Sequence, residues 1–299
     1  MRAVASVLVA AVLWGTVGPA QLWAGTGAHP VSLGAARMLL GGTVLAVLMV
    51  RPAGLRTLRL PGAPRWVAVS VLVTAAFQVC FLQAVERSGA ALATAVAFGT
   101  VPVVSGVCGR LLSGERPSRR WAWGTVCAVA GIGLLLLPGG GGRADVLGVV
   151  YGMVAGASFG VYIAATKQLG AHGVDLNAAA PVSVLCAGIL VSPYLLLAPE
   201  GLFTARGFAL VGWLGLGTTA LGYLLFTRGV GGLSAATVGT LSLTEPLVAT
   251  VLGVALLGER PGPPAAAGAA LLLGGLVAVS VPGRLRRPTE TPRPEPVRN

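Results

Sequence analysis

One carboxylate stands alone inside a long apolar run: Glu245, within the stretch LSLTEPLVAT at 241–250. A charge at that depth in lipid costs about 2.5–3.5 kcal/mol on insertion scales, so it must face other helices or a water-filled space. There it can bind an amine, a cation or a proton; the plainer alternative is a protonated carboxyl bonded to a neighbouring helix. Pro246 follows directly, and its missing N–H loosens a helix at that level. Arg37 is the second ionisable outlier, in VSLGAARMLL. It lies roughly 9 Å from the nearer end of its helix. That suits either a snorkelling side chain or an anion-binding one, and a pairing with Glu245 stays open.

Polar and aromatic side chains recur at helical spacing around these two. Trp14 and Gln21 share a face, as do Thr74 and Gln78, Tyr151 with Ser158 and Tyr162, and Thr219 with Tyr223. Each alone suits packing; together they describe an aromatic, mildly polar interior fit for a small amphipathic solute. Gly239, Ser242, Pro246, Ala249 and Gly253 form a stripe of small residues, matched by Ala95, Phe98, Pro102, Ser105 and Gly109. Such stripes let helices approach closely or leave room for a ligand. Gly152, Gly156 and Gly160 make a further packing stripe.

The elements that position these residues repeat. Residues 91–117 and 235–261 align without a gap, so that Pro102 matches Pro246 and Gly114-Glu115-Arg116-Pro117 matches Gly258-Glu259-Arg260-Pro261. Val101 stands where the second copy has Glu245. Glu115 and Glu259 close their helices, where the macrodipole disfavours an anion. They are either turn staples or gates, and Pro102 and Pro246 are candidate gating positions.

Composition fixes the medium. The chain is 55% hydrophobic and 10% charged, with a mean hydropathy of +0.84, against about 25% charged in soluble domains. Ten apolar spans are predicted, near 3–24, 31–50, 66–85, 88–112, 120–138, 146–167, 177–198, 207–226, 233–257 and 264–282. The first is read as a retained helix rather than a cleaved signal. Helical spans satisfy their backbone internally in lipid, and strand alternation is missing. The fold class expected is an all-α membrane protein whose ten transmembrane helices form two inverted five-helix repeats. The domains are 1–138 and 146–282, a Gly-rich linker at 139–145 and a disordered cytoplasmic tail at 283–299.

The net charge of +12 does not point to nucleic acid, because the charges sit in alternate loops. Arg51, Arg56, Arg59 and Arg65, then Arg116, Arg119 and Arg120, then the tail arginines fall on one side; Arg87, Arg143, Arg206 and Arg260 fall on the other. That bias places both termini in the cytoplasm. With five spans per half, Glu115 ends inside and Glu259 outside. Cys80, Cys108, Cys127 and Cys186 lack metal-ligand spacing, so no metal, disulfide or cofactor is expected. Neither HExxH nor a pair of membrane carboxylates is present, which argues against an enzyme.

Leu13-Trp14-Gly15, Arg37, the paired prolines, Gly114-Glu115 and Gly258-Glu259 resemble the drug/metabolite transporter superfamily, EamA type, over nearly the whole chain as two tandem units. Phe159-Gly160 stands in the second unit where the first has Trp14-Gly15. The resemblance implies a central cavity lined by spans one, three, four, six, eight and nine. Carried onto this chain, it makes Trp14, Gln78, Phe98, Tyr162, Tyr223, Ser242 and Glu245 substrate-binding. It also implies export of amino acids, related metabolites or drugs across the inner membrane. The expected partners are a small-molecule substrate, membrane lipid and a proton or other coupling ion; a homodimer stays open. An importer of the same fold and a non-transporting assembly protein are the alternatives.

Overall fold

A computed structural model of the chain describes residues 2–135, 145–257 and 263–280, and among them there is no strand. The helices are α1 (Arg2–Gly15), α2 (Val17–Ala24), α3 (Pro30–Met49), α4 (Pro52–Thr57), α5 (Ala63–Ser113), α6 (Arg119–Leu135) and α7 (Val146–Ala171). They continue as α8 (Leu176–Val191), α9 (Pro193–Leu197), α10 (Ala205–Gly212), a π-helical segment (Trp213–Leu221), α11 (Gly222–Val230), α12 (Ala235–Leu241), α13 (Thr244–Leu257) and α14 (Pro263–Ser280). Among the described residues, eight stretches are long and apolar enough to cross a membrane. The expected spans at 120–138 and 264–282 fall on the shorter α6 and α14. Residues 139–144 of the linker, Glu259 with its turn, and the tail lie outside the described residues.

The outside of the bundle is apolar. Leu48, Leu111, Trp123 and Leu196 are each more than 70% exposed, whereas Ser105, Thr218, Thr240 and Ser242 are fully buried. This inversion of the soluble pattern is what a hydrocarbon solvent requires, since polar groups must find partners inside. Trp121 donates its Nε1–H to the Ala236 carbonyl at 2.9 Å, and the Thr125 and Thr240 hydroxyls meet at 2.8 Å. These bonds tie α6 to α12.

The spans expected at 66–85 and 88–112 are two candidate crossings, Ala63–Val85 and Val96–Ser113, within one continuous helix. Helical bonding persists through α5, yet the rings of Phe81 and Phe98 are 6.3 Å apart. A straight helix would separate those positions by about 25 Å, so α5 doubles back between them.

Glycines set how the helices cross. A Cβ on Gly156 would lie 2.1 Å from the Ala97 carbonyl oxygen, and one on Gly160 would lie 2.8 Å from Val104 Cβ. The Gly152/Gly156/Gly160 stripe therefore seats α7 against the second half of α5, both running the same way. In α1, a Cβ on Gly15 would lie 2.7 Å from Val248 Cβ, and Gly232 faces Ala3, so α1 runs alongside α12 and α13 in their direction. Gly239 faces Ser105 and Pro102: the two small-residue stripes meet each other. Pro102 itself is buried inside an unbroken part of α5. Gly156→Val is expected to cost about 1–3 kcal/mol by overpacking against backbone, read as a lower apparent melting temperature in detergent.

Candidate functional site

A cavity of about 260 Å³ lies among α1, α2, α3, both halves of α5, α7, α11 and α13. Its polar wall holds Arg37, Thr74, Gln78, Gln21 and Glu245, and seven aromatic residues stand in its apolar wall. Of the residues expected to bind substrate, Trp14, Gln78, Phe98, Tyr162, Tyr223 and Glu245 line it, joined by Arg37 and Pro246. Ser242 does not: it is fully buried, and its hydroxyl donates to the Val238 carbonyl at 3.0 Å. Pro102 and Glu115 also lie away from the cavity.

Glu245 reaches this wall through a break. α12 stops at Leu241 and α13 starts at Thr244. Pro246 has no N–H to offer the Ser242 carbonyl, which accepts instead from Glu245 N at 3.1 Å. The tighter turn puts the carboxyl in the first turn of α13, facing the cavity. Gly15 leaves space for this backbone, since a Cβ there would lie 2.8 Å from the Glu245 carbonyl oxygen.

Arg37 comes from α3 and donates from Nη2 to Gln78 Oε1 at 3.1 Å. Gly34, one turn earlier, makes room for that amide; any Cβ there would collide with Gln78 Nε2. The ion pairs among the described residues are Arg87–Asp145 and Lys167–Glu115. Arg37 and Glu245 thus share one cavity without closing on each other, and the pairing left open by the sequence does not form.

The aromatic wall is cross-braced. Trp14 packs edge-on to Tyr223 at 5.4 Å and to Phe159 at 5.8 Å. Phe77 stacks on Phe81 at 5.5 Å, and Tyr162 meets Tyr223 edge-on at 6.1 Å. Trp14 is pinned by its Nε1–H, which donates to the Thr218 carbonyl at 2.8 Å. That carbonyl is available because the π-helical segment ends with Gly222 N–H donating to the Gly217 and Thr219 carbonyls instead. A π-turn releases a carbonyl that an α-helix would use, a recurrent device at functional sites. Gly222 is also where a Cβ would lie 2.7 Å from Trp14 Nε1.

Sequence reasoning missed Phe77, Phe81, Thr94 and Phe159 on the wall. Phe159 carried a signal, its alignment with Trp14 across the repeat. Phe77 and Phe81 share the helical face of Thr74 and Gln78 but were not read with them. Thr219, expected beside Tyr223, turns its hydroxyl back to the Leu214 carbonyl at 2.8 Å. Tyr151 lies under the Arg87 guanidinium, 5.9 Å away.

A charged, aromatic-walled chamber inside an apolar helical bundle is the construction of a multi-pass membrane transporter. The chain belongs to the EamA-like transporter family, whose model matches residues 1–137 and 146–281. It is 34% identical to the uncharacterized transporter YwfM of Bacillus subtilis (strain 168), over 95% of each chain. It is 28% identical to a protein of Streptantibioticus cattleyicolor described as a probable terminal-alkyne amino-acid exporter, over 97% of this chain and 98% of that one. A solved crystal structure superposes with a TM-score of 0.77 at 23% identity, covering 92% of this chain and 95% of that one; it bears on the fold alone.

Proposed function

We propose that the chain exports a small zwitterionic, amphipathic metabolite, an amino acid or close relative, by alternating access. The observation that carries this reading is the unpaired couple Arg37 and Glu245 on one cavity wall. A guanidinium suits a carboxylate bidentately, and a carboxylate suits an ammonium group; a zwitterion between them satisfies both. The aromatic wall then takes the apolar side chain. The relative described as an amino-acid exporter is in keeping with this.

The architecture we infer is ten spans in two inverted units, 1–138 and 146–282. Exchange of packing partners supports it. Gly15 sits against Val248 as Gly160 sits against Val104, and these pairs correspond when the repeat copies are superposed. Two inverted halves around a midplane site can rock to expose it to either side. The basic loops favour both termini in the cytoplasm of a cell with the protein in its inner membrane. In that orientation the cavity, whose wall runs out to Gln21, Leu22, Pro30 and Val85, faces outward.

Counterflow into liposomes holding the purified protein tests the reading. A panel of amino acids, their amides, their amines and cationic dyes is offered as the trans solute. Neutral amino acids with apolar side chains are expected to exchange, and both singly charged analogues to fail. Exchange of the dyes alone would refute the zwitterion assignment.

A further inference from the structure

The chain holds one lysine, Lys167, near the end of α7. Its Nζ lies 3.1 Å from Glu115 Oε1, and the pair is largely buried, each side chain 18% exposed. Lys167 Nζ also donates to the Leu233 carbonyl, and Glu115 Oε2 accepts from Ala235 N at 2.8 Å. One carboxylate and one ammonium therefore hold three elements together: the end of α5, α7 and the start of α12.

Local structure aims Glu115 at this job. Gly114 ends α5 at φ +64, a conformation that suits glycine, and Glu115 N returns to the Gly109 carbonyl at 3.1 Å. The carboxylate folds back over Gly109, where a Cβ would lie 2.7 Å from its oxygen. Gln168 fastens α7 to α5 separately, donating to the Leu112 carbonyl and Ser113 Oγ at 3.0 Å each. The Glu115–Lys167 couple adds the polar tie from that unit to the start of α12.

These contacts lie at the end of the bundle away from the cavity mouth. Gly232, just before α12, faces Ala3, whereas the mouth is lined by Gln21 and Leu22 at the far end of the same span. Val7, Phe226, Val230, Val238 and Leu241, each at most 1% exposed, fill the space on the closed side. The repeat makes the two ends comparable. Thr94, on the cavity wall, corresponds to Val238, and Leu22 corresponds to Lys167. At the mouth, leucine stands where the closed end has this cation.

We propose that Glu115, Lys167 and the first residues of α12 form a latch that must part for the cavity to open at that end. The one-sided cation makes the mouth-open state the resting state. The inference rests on the alternating-access reading above. A charge-assisted bond of this kind shifts a two-state balance by on the order of tenfold.

The test uses purified protein in nanodiscs, with Cys80, Cys108, Cys127 and Cys186 replaced by alanine and a polar maleimide as probe. Thr94→Cys is expected to react and Val238→Cys to resist. Lys167→Met and Glu115→Gln should shift this balance, accelerating Val238→Cys by up to roughly tenfold and slowing Thr94→Cys by less, while Lys167→Arg keeps the original pattern. Unchanged rates at both positions would overturn the latch. A second arm needs no change at the pair. A carbodiimide joins the Glu115 carboxylate to the Lys167 amine as an amide, with loss of one water, verified by mass spectrometry. The cross-linked protein is expected to keep Thr94→Cys reactive and to lose counterflow. Counterflow persisting in the cross-linked fraction would refute the latch and leave the transport reading intact. If the unmodified protein shows neither counterflow nor any Val238→Cys reaction, alternating access falls and the latch with it.

Discussion

Glu245→Gln is expected to abolish amino-acid counterflow while leaving expression and the elution profile of the purified protein unchanged. Glutamine has nearly the same shape, so the break between α12 and α13 and the packing of Gly15 on this backbone persist. What disappears is the ionisable carboxyl facing the cavity. Truncating one partner of a desolvated charge pair costs about 2–5 kcal/mol, a loss of roughly 30-fold to several thousand-fold. The substitution also separates two roles of the carboxyl. If it carries a coupling proton, wild-type transport responds to an imposed pH gradient, and any activity left in the glutamine variant does not. If it only holds the substrate ammonium, residual transport keeps its response to the gradient. Wild-type transport by the variant at every pH would remove Glu245 from the mechanism.

The sequence made the cavity's charged residues conspicuous because lipid penalises them. Glu245 and Arg37 stand out against apolar runs, and both line the chamber. Trp14, Gln78, Phe98, Tyr162 and Tyr223 were legible through helical spacing and family likeness, and they line it too. Ser242 was not placed correctly by the same logic. A serine on a small-residue stripe can bond its own helix, and this one does, leaving the stripe to serve contact with Ser105 and Pro102. Phe77 and Phe81 escaped because an apolar ring inside a membrane helix has no contrast with its neighbours. The π-turn behind Trp14 escaped for another reason: it depends on which carbonyl Gly222 chooses, and no residue type announces that choice. Lys167 was visible as the one lysine, yet its meeting with Glu115 needs the doubling-back of α5 and the approach of α12, both tertiary facts.

Arg37→Gln is expected to be nearly as severe as the glutamine substitution at 245, but selectively so. The guanidinium bonds Gln78 through Nη2 at 3.1 Å, and it forms no ion pair with Glu245. It therefore has donors left for a ligand carboxylate. Replacing it with glutamine removes a planar, bidentate partner that lysine does not reproduce. Transport of amino acids should fall by about 30-fold or more, and Arg37→Lys should recover only part of it. An amino-acid amide offers no carboxylate, so the wild-type protein should carry it poorly, and Arg37→Gln should leave that low rate unchanged. This pattern distinguishes recognition from scaffolding. If the arginine merely braced α3 against α5 through Gln78, the substitution would depress amide and acid alike, and Gln78→Ala would do the same. A proportional loss on both substrates would therefore assign Arg37 to the frame of the cavity, and the zwitterion reading would lose its anion-binding half.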